Sequence, residues 1–214
     1  MSDEPAISLP VGETALKDHF GDIDIYLFDQ LLRGRISPEM RVLDAGCGRG
    51  RNLIYMFRAG FDVYGVDPDP AVVDEVREVA NRSAPGLPSD HFRVEQLPSL
   101  SFRDQTFGAV VANAVLHFAG DETEFEAMLG ELWRVLEPEG VLFARLASSI
   151  GLEDRIRPLG GRRYGLPDGT DRFLVDEQFL LAATADLDAT LLDPIKTVNV
   201  QGQRCMTTWC VRRS

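Results

Sequence analysis

Val42-Leu43-Asp44-Ala45-Gly46-Cys47-Gly48-Arg49-Gly50 is the stretch on which the architecture turns. An apolar run ends in a carboxylate, and three glycines then alternate before a helical pattern resumes. Glycines at such a junction let the backbone turn tightly and let a ligand touch the main chain. A dinucleotide-binding turn asks for glycine at position 51, but Arg51 stands there. Asp44, at the mouth of the turn, would also repel a pyrophosphate. The acid suits a ligand with a positive charge.

Working outward, Phe61 to Val66 reads as a second strand ending at Asp67-Pro68, followed by a helix over Ala71 to Asn81. Asp67 stands where a carboxylate accepts both hydroxyl hydrogens of a ribose. The alternative is a helix cap, by Asp67 or by Asp69. His91 to Val94 and the fully apolar Gly108 to Ala112 read as strands three and four, the latter central. A helix over Glu122 to Leu136 and a strand over Val141 to Leu146 follow. Upstream, Asn52 to Ala59 reads as a helix, and Phe20 to Arg35 as an amphipathic leading helix. Strands alternate with helices five times, which demands a parallel sheet with right-handed crossovers and helices on both faces. Beyond residue 146 the pattern changes. Ser148 to Asp171 is rich in Arg, Gly and Pro, Asp176 to Ala185 reads as a helix, and Thr190 to Val200 with Cys205 to Arg213 reads as a hairpin.

The 214 residues carry a net charge of −12, and 44% are apolar, enough for one well-filled domain. That charge opposes a protein that grips nucleic acid or an anionic membrane by bulk electrostatics. Lys17 and Lys196 are the only lysines, so the basic side is almost wholly arginine. GC-rich coding or adaptation to high salt accounts for this. Cys47, Cys205 and Cys210 are too few for a disulfide framework, and no metal site is expected. The acidic first ten residues lack the order of a signal peptide, so a cytoplasmic location is expected.

Four motifs in order resemble those of class I S-adenosylmethionine-dependent methyltransferases. They are Asp44-Ala45-Gly46-Cys47-Gly48-Arg49-Gly50, Asp67, Leu100-Ser101-Phe102-Arg103-Asp104-Gln105-Thr106-Phe107 and Arg134-Val135-Leu136-Glu137-Pro138-Glu139-Gly140. The resemblance covers about residues 20–214, and Gly50-Arg51-Asn52 with Gly60-Phe61-Asp62-Val63 is similar to small methyltransferases of the tellurite-resistance type. It implies a three-layer α/β/α fold: a seven-stranded, mostly parallel, doubly wound sheet with an antiparallel last strand. The chain then divides into a loose N-terminus (1–19) and one methyltransferase domain (20–214). Within the domain, 20–38 is the leading helix and 147–175 an acceptor-side insertion.

The resemblance also implies roles. Asp44 and the Gly46 backbone would hold the methionine amino group of S-adenosylmethionine, whose product is S-adenosylhomocysteine. Gly48 and Gly50 would let the cofactor lie on the loop, with Cys47, Asn52 and Pro68 beside it. Asp67 would take the ribose hydroxyls. The family often places an acid-Ala pair against adenine, and here Gln96-Leu97 stands in its place, preceded by Glu95. Gln96 would pair through its side-chain oxygen, or else sit in an exposed loop. Asn113 follows strand four, where the family floors the cofactor.

Methyl transfer from a sulfonium is an in-line displacement that needs proximity and exclusion of water more than a protein nucleophile. Where the acceptor needs a base, His117 is the candidate; a structural loop histidine is the alternative. Tyr26 is a candidate lid contact. Arg145, Arg155, Arg157, Arg162, Arg163 and Arg172 gather around one segment. Arg145, Arg162, Arg163 and Tyr164 are the candidate contacts to an anionic small-molecule acceptor. The alternative is that these arginines pair with the surplus acids. No nucleic acid or membrane partner is expected, and the chain is expected to be a monomer or homodimer. Two other functions stay open: a non-catalytic S-adenosylmethionine-binding module, and a nicotinamide-dependent oxidoreductase on a related fold.

Overall fold

A computed structural model describes residues 13–214. Two short helices, α1 (Glu13–Phe20) and α2 (Ile25–Leu32), precede β1 (Arg41–Ala45), α3 (Ile54–Arg58), β2 (Asp62–Asp67), α4 (Pro70–Ser83), β3 (Phe92–Val94) and β4 (Phe107–Asn113). Then come α5 (Glu122–Val135), β5 (Leu136–Ser148), β6 (Arg157–Gly160), β7 (Arg163–Gly165) and β8 (Asp171–Phe173). The chain ends with α6 (Glu177–Asp186), β9 (Ala189–Leu191), β10 (Lys196–Val200) and β11 (Arg204–Arg213).

The main sheet runs β10-β11-β5-β4-β1-β2-β3, with β9 also pairing with β11. The path from β5 to β3 is parallel, and β11 is antiparallel to β5. This is the mostly parallel doubly wound sheet expected. The β4 strand is buried along its whole length, as an apolar strand between β1 and β5 must be. Successive residues of β1 enter opposite cores, because strand side chains alternate. Val42 packs with Leu27, Met56, Phe57, Val73 and Val76 on the face covered by α2, α3 and α4. Leu43 packs with Phe125, Leu129, Leu132, Leu180 and Trp209 on the face covered by α5 and α6. The Trp209 indole finds its partner in Thr184 Oγ1, 2.9 Å away.

Several boundaries differ from those expected. Residues 1–12 of the expected loose N-terminus lie outside the described residues, but Glu13–Phe20 is helical. The single leading helix over 20–38 is broken at Gly21, whose φ of +68° ends α1, and Asp24 then caps α2. The last hairpin has an interrupted outer strand, β9 and β10, because Pro194 cannot donate to a ladder. The insertion carries its own three-stranded antiparallel sheet, β6-β7-β8, where no period was visible.

Arg134 ties α5 to the loop that follows β3. Its guanidinium donates to the carbonyls of Leu100 and Phe102 and to the carboxylates of Asp104 and Glu131, at 2.7–3.0 Å. Charged donors to buried acceptors contribute about 1.5–3 kcal/mol. Arg134→Ala is therefore expected to lower stability by about 2–3 kcal/mol, read as a lower urea midpoint at unchanged slope. Arg134→Lys should recover little, because an ammonium lacks the fork.

Candidate functional site

The loop after β1 lies at the point where the sheet reverses its strand order, between β2 and β4, and ligands of such sheets bind at the carboxyl ends there. The backbone N–H groups of Gly46 and Cys47 both donate to the Val66 carbonyl, at 2.8 and 2.9 Å, which pins the loop to β2. Cys47 Sγ packs so closely on Gly65 that a Cβ there would sit 2.9 Å from it. Burial pushes the Cys47 thiol well up, so it is a packing group and no nucleophile. Beneath the loop, Asp44 is 1% exposed, and neither of its carboxylate oxygens has a hydrogen-bond partner. Burial pushes its pKa up to about 7, beyond what Arg51 offsets, and Asp67 adds to the rise. An ionised buried carboxylate without a donor is costly, so Asp44 fits a site completed by a cationic ligand.

Two clefts meet at Gly46. The first, of about 450 Å³, is lined by Gly46, Asp67, Pro68, Gln96, Leu97 and Val115, among others. Asp69 caps α4 by accepting from Ala71 N–H, which settles the capping question and leaves Asp67 at the cleft. Asp67 accepts from Gly48 N–H at 3.1 Å and so braces the glycine loop. Glu95 is spent on Ser101, whose N–H and hydroxyl it accepts, while Gln96 and Leu97 line the cleft. The second cleft is lined by Gly46, Cys47, Gly48, Arg51, Asn52 and Asn113, with the α1 residues Lys17 and Asp18. Asn52 Oδ1 accepts from Asp24 N–H, so this side chain also anchors α2 over the site. Gly50 lines neither cleft; its φ of +76°, and the 2.8 Å at which a Cβ there would meet Val76 Cγ2, make glycine a requirement of the turn. Asn113 Nδ2 is buried without a partner, while its Oδ1 accepts from Arg51.

A third cavity, of about 270 Å³, opens beside the other two. It shares Ala114 with the first cleft and Arg51 with the second. Ala114 has φ +64°, a left-handed conformation unusual outside glycine and typical of functional turns. The lining adds His117, Arg145, Leu166, Asp168, Thr170, Arg172 and Arg204. Arg145 is held by Asp24 at 2.6 Å and lies over the Tyr26 ring, and its Nε is buried without a partner. Asp24 also caps α2, so one carboxylate fixes both the helix and the arginine.

His117 does not have the geometry of a general base. Its Nδ1 accepts from Ala147 N–H at 3.2 Å, so the neutral ring carries its proton on Nε2. Burial first, then Arg172 and Arg204, lowers its pKa to about 4. The ring, 5% exposed, is a neutral hydrogen-bond donor. Three acceptor candidates also lie elsewhere. Arg162 donates to Asp176 and covers the Phe179 ring, and Arg163 donates to the Ala119 carbonyl. Tyr164 packs in the small core of the insertion. None of the three lines the cavity, and neither does Tyr26. The groups that do, Arg204, Asp168 and Thr170, carried no signal in the sequence, since a distant hairpin and a turn bring them together.

A family model described as "Methyltransferase domain" matches residues 43–144. A ubiquinone biosynthesis O-methyltransferase of Methylocella silvestris is 33% identical over 182 residues, 78% of this chain and 68% of that protein. The Bacillus subtilis methyltransferase YodH is 31% identical over 106 residues, and the match spans only 42% of its length. The crystal structure of a SAM-dependent methyltransferase of Methanosarcina mazei superposes with a TM-score of 0.69 at 22% identity, covering 86% of this chain and 96% of that one. At that identity the likeness is one of fold.

Proposed function

The chain belongs to the class I S-adenosylmethionine-dependent methyltransferases, and on that premise we propose that it moves a methyl group onto a small anionic acceptor held in the arginine-lined cavity. The observation that carries this reading is the cavity's position and charge. It meets the two cofactor-side clefts at Ala114 and Arg51, and it is lined by Arg51, Arg145, Arg172 and Arg204 against the single carboxylate of Asp168. In a chain of net charge −12, that concentration suits an anion.

Bound S-adenosylmethionine supplies an activated methyl carbon on a sulfonium. In this reading Asp67 takes the ribose hydroxyls, and Gln96 and Leu97 flank the adenine. Asp44, with the Gly46 backbone, takes the amino group. Asn113 Nδ2 is a donor free for the methionine end. Residues of the insertion, Leu166, Asp168, Thr170 and Arg172, shape the acceptor side and exclude water. Orientation of this kind contributes on the order of 7–11 kcal/mol to such bimolecular steps.

Calorimetry tests the reading. S-adenosylhomocysteine is expected to bind with a dissociation constant of roughly 1–100 μM, about −8 to −5 kcal/mol, and NAD(P) not at all. Binding of NAD(P) alone would sink it in favour of an oxidoreductase. Methyl transfer to an acceptor separates an enzyme from a cofactor-binding module. Arg172→Ala with Arg204→Ala should raise the acceptor KM at least about tenfold, a loss of about 1.4 kcal/mol, and leave S-adenosylhomocysteine affinity unchanged.

A further inference from the structure

We infer that the acceptor is a carboxylic acid, taken as its preformed carboxylate and methylated to an ester without a general base; this rests on the methyltransferase reading above. The inference comes from accounting for every group in the cavity that is able to take a proton. Arg51, Arg145, Arg172 and Arg204 are permanent cations. His117 lines the cavity with its Nδ1 committed to Ala147 N–H, so its remaining ring nitrogen is a donor and takes no proton. Partial burial pushes Asp168 up, but the Thr170 hydroxyl and N–H outweigh it, and Arg204 and Arg172 help hold the carboxyl below its usual range. Asp44 lies under the glycine loop, outside this cavity's lining, and its charge is assigned to the cofactor's ammonium. The lining therefore offers donors and positive charge, and its one carboxylate, Asp168, is weakly basic, bound by Thr170 and faced by Arg204 and Arg172. A neutral hydroxyl, or an amine that enters protonated, finds no strong base in this lining to take its proton. A carboxylate has none to lose.

The donors present are those a carboxylate needs. Arg204 has no ion pair among the described residues, and Arg172 makes only a bond to the Asp171 carbonyl and a contact over Phe118. The Arg145 Nε–H is buried without an acceptor, which is costly unless a ligand supplies one. His117, whose free ring nitrogen carries the proton, also lines the cavity, whereas the Thr170 hydroxyl is already spent on Asp168. In the step itself, a lone pair on one carboxylate oxygen forms a C–O bond to the methyl carbon as the C–S bond breaks. The electron pair of that bond goes to sulfur. The positive charge of the sulfonium and the negative charge of the carboxylate cancel, giving a methyl ester and a neutral thioether, and no proton is released.

The experiment uses the full chain, with succinate and 4-hydroxybenzoate as probes and succinamide and 4-hydroxybenzamide as matched neutral controls. With S-adenosylhomocysteine bound, at least one acid should bind tenfold or more tighter than its amide. Arg172→Ala/Arg204→Ala should erase that preference and leave S-adenosylhomocysteine affinity intact. With methyl-labelled S-adenosylmethionine, the label on that acid should be released as methanol by mild alkali, and a weakly buffered indicator should register no proton per turnover. Equal binding of acid and amide, including no binding of either, overturns the inference. So does alkali-stable label, as on the phenol of 4-hydroxybenzoate, or one proton per turnover. In those cases the methyltransferase reading stands. Failure of S-adenosylhomocysteine to bind at all would instead remove that reading.

Discussion

Asp44→Asn is expected to weaken S-adenosylhomocysteine binding by about 30–100-fold at pH 8 and to abolish its dependence on pH. The magnitude is that of a charge-assisted bond from an ammonium to a buried carboxylate, about 2–3 kcal/mol. The pH dependence follows from burial, which raises the Asp44 pKa to about 7 in the free protein. Only the ionised form attracts the ligand's ammonium, so the apparent dissociation constant of the native chain is the intrinsic one divided by the ionised fraction. It should therefore level off above pH 7 and rise about tenfold for each unit below it. The stability of the free protein moves the opposite way. A carboxyl whose folded pKa is raised contributes fully below its ordinary value near 4, and that contribution is lost as pH rises through about 7. The loss has a ceiling of about 4 kcal/mol, from a rise of about three units, and Asn cannot ionise. The free variant should thus melt several degrees higher than the native chain at pH 8 and little differently at pH 4. A pH-independent affinity in the native chain, unchanged by Asp44→Asn, would remove Asp44 from the ligand site.

The same residue shows what was legible in the sequence. A carboxylate at a strand end, alternating glycines and a second acid after the next strand are local features, and each survives folding unchanged. The sheet order follows, because five strand–helix alternations leave few right-handed windings. The lining of the third cavity was illegible for the opposite reason. Arg172 comes from the insertion and Arg204 from the final hairpin, and the antiparallel placement of β11 beside β5 brings them to one cavity. The adjacent pair Arg162-Arg163 was the louder signal, yet one guanidinium turns to Asp176 and the other to the Ala119 carbonyl. His117 is visible in the sequence just beyond β4, but its tautomer is not, since it depends on an N–H donated from the next strand, β5. Asp67 and Asp69 were interchangeable as caps until Ala71 N–H chose Asp69.

Gly46→Ala is expected to cost about 3–4 kcal/mol of stability and to abolish S-adenosylhomocysteine binding, whereas Gly48→Ala should cost only about 1–2 kcal/mol yet also weaken binding. Both glycines are left-handed, with φ of +77° and +52°, so each alanine carries the same backbone penalty. They differ in what the new methyl meets. At position 46 it would stand 2.3 Å from Val115 Cγ2 and 3.1 Å from Cγ1, so the turn after β4 must move. At position 48, in the lining of the second cleft, it meets nothing within 4 Å. Stability therefore separates the two variants, and binding does not. Val115→Ala removes both clashing carbons, so the pair Gly46→Ala/Val115→Ala should be more stable than the sum of the single changes predicts, by about 1–2 kcal/mol. Urea midpoints of the four proteins in that cycle measure the coupling. A coupling near zero would mean that the turn yields freely to the methyl. The contact between the glycine loop and the turn after β4 would then not be what holds the three clefts in register. A favourable coupling, with binding still lost in the double variant, would assign the Gly46 backbone to the ligand as well as to the fold.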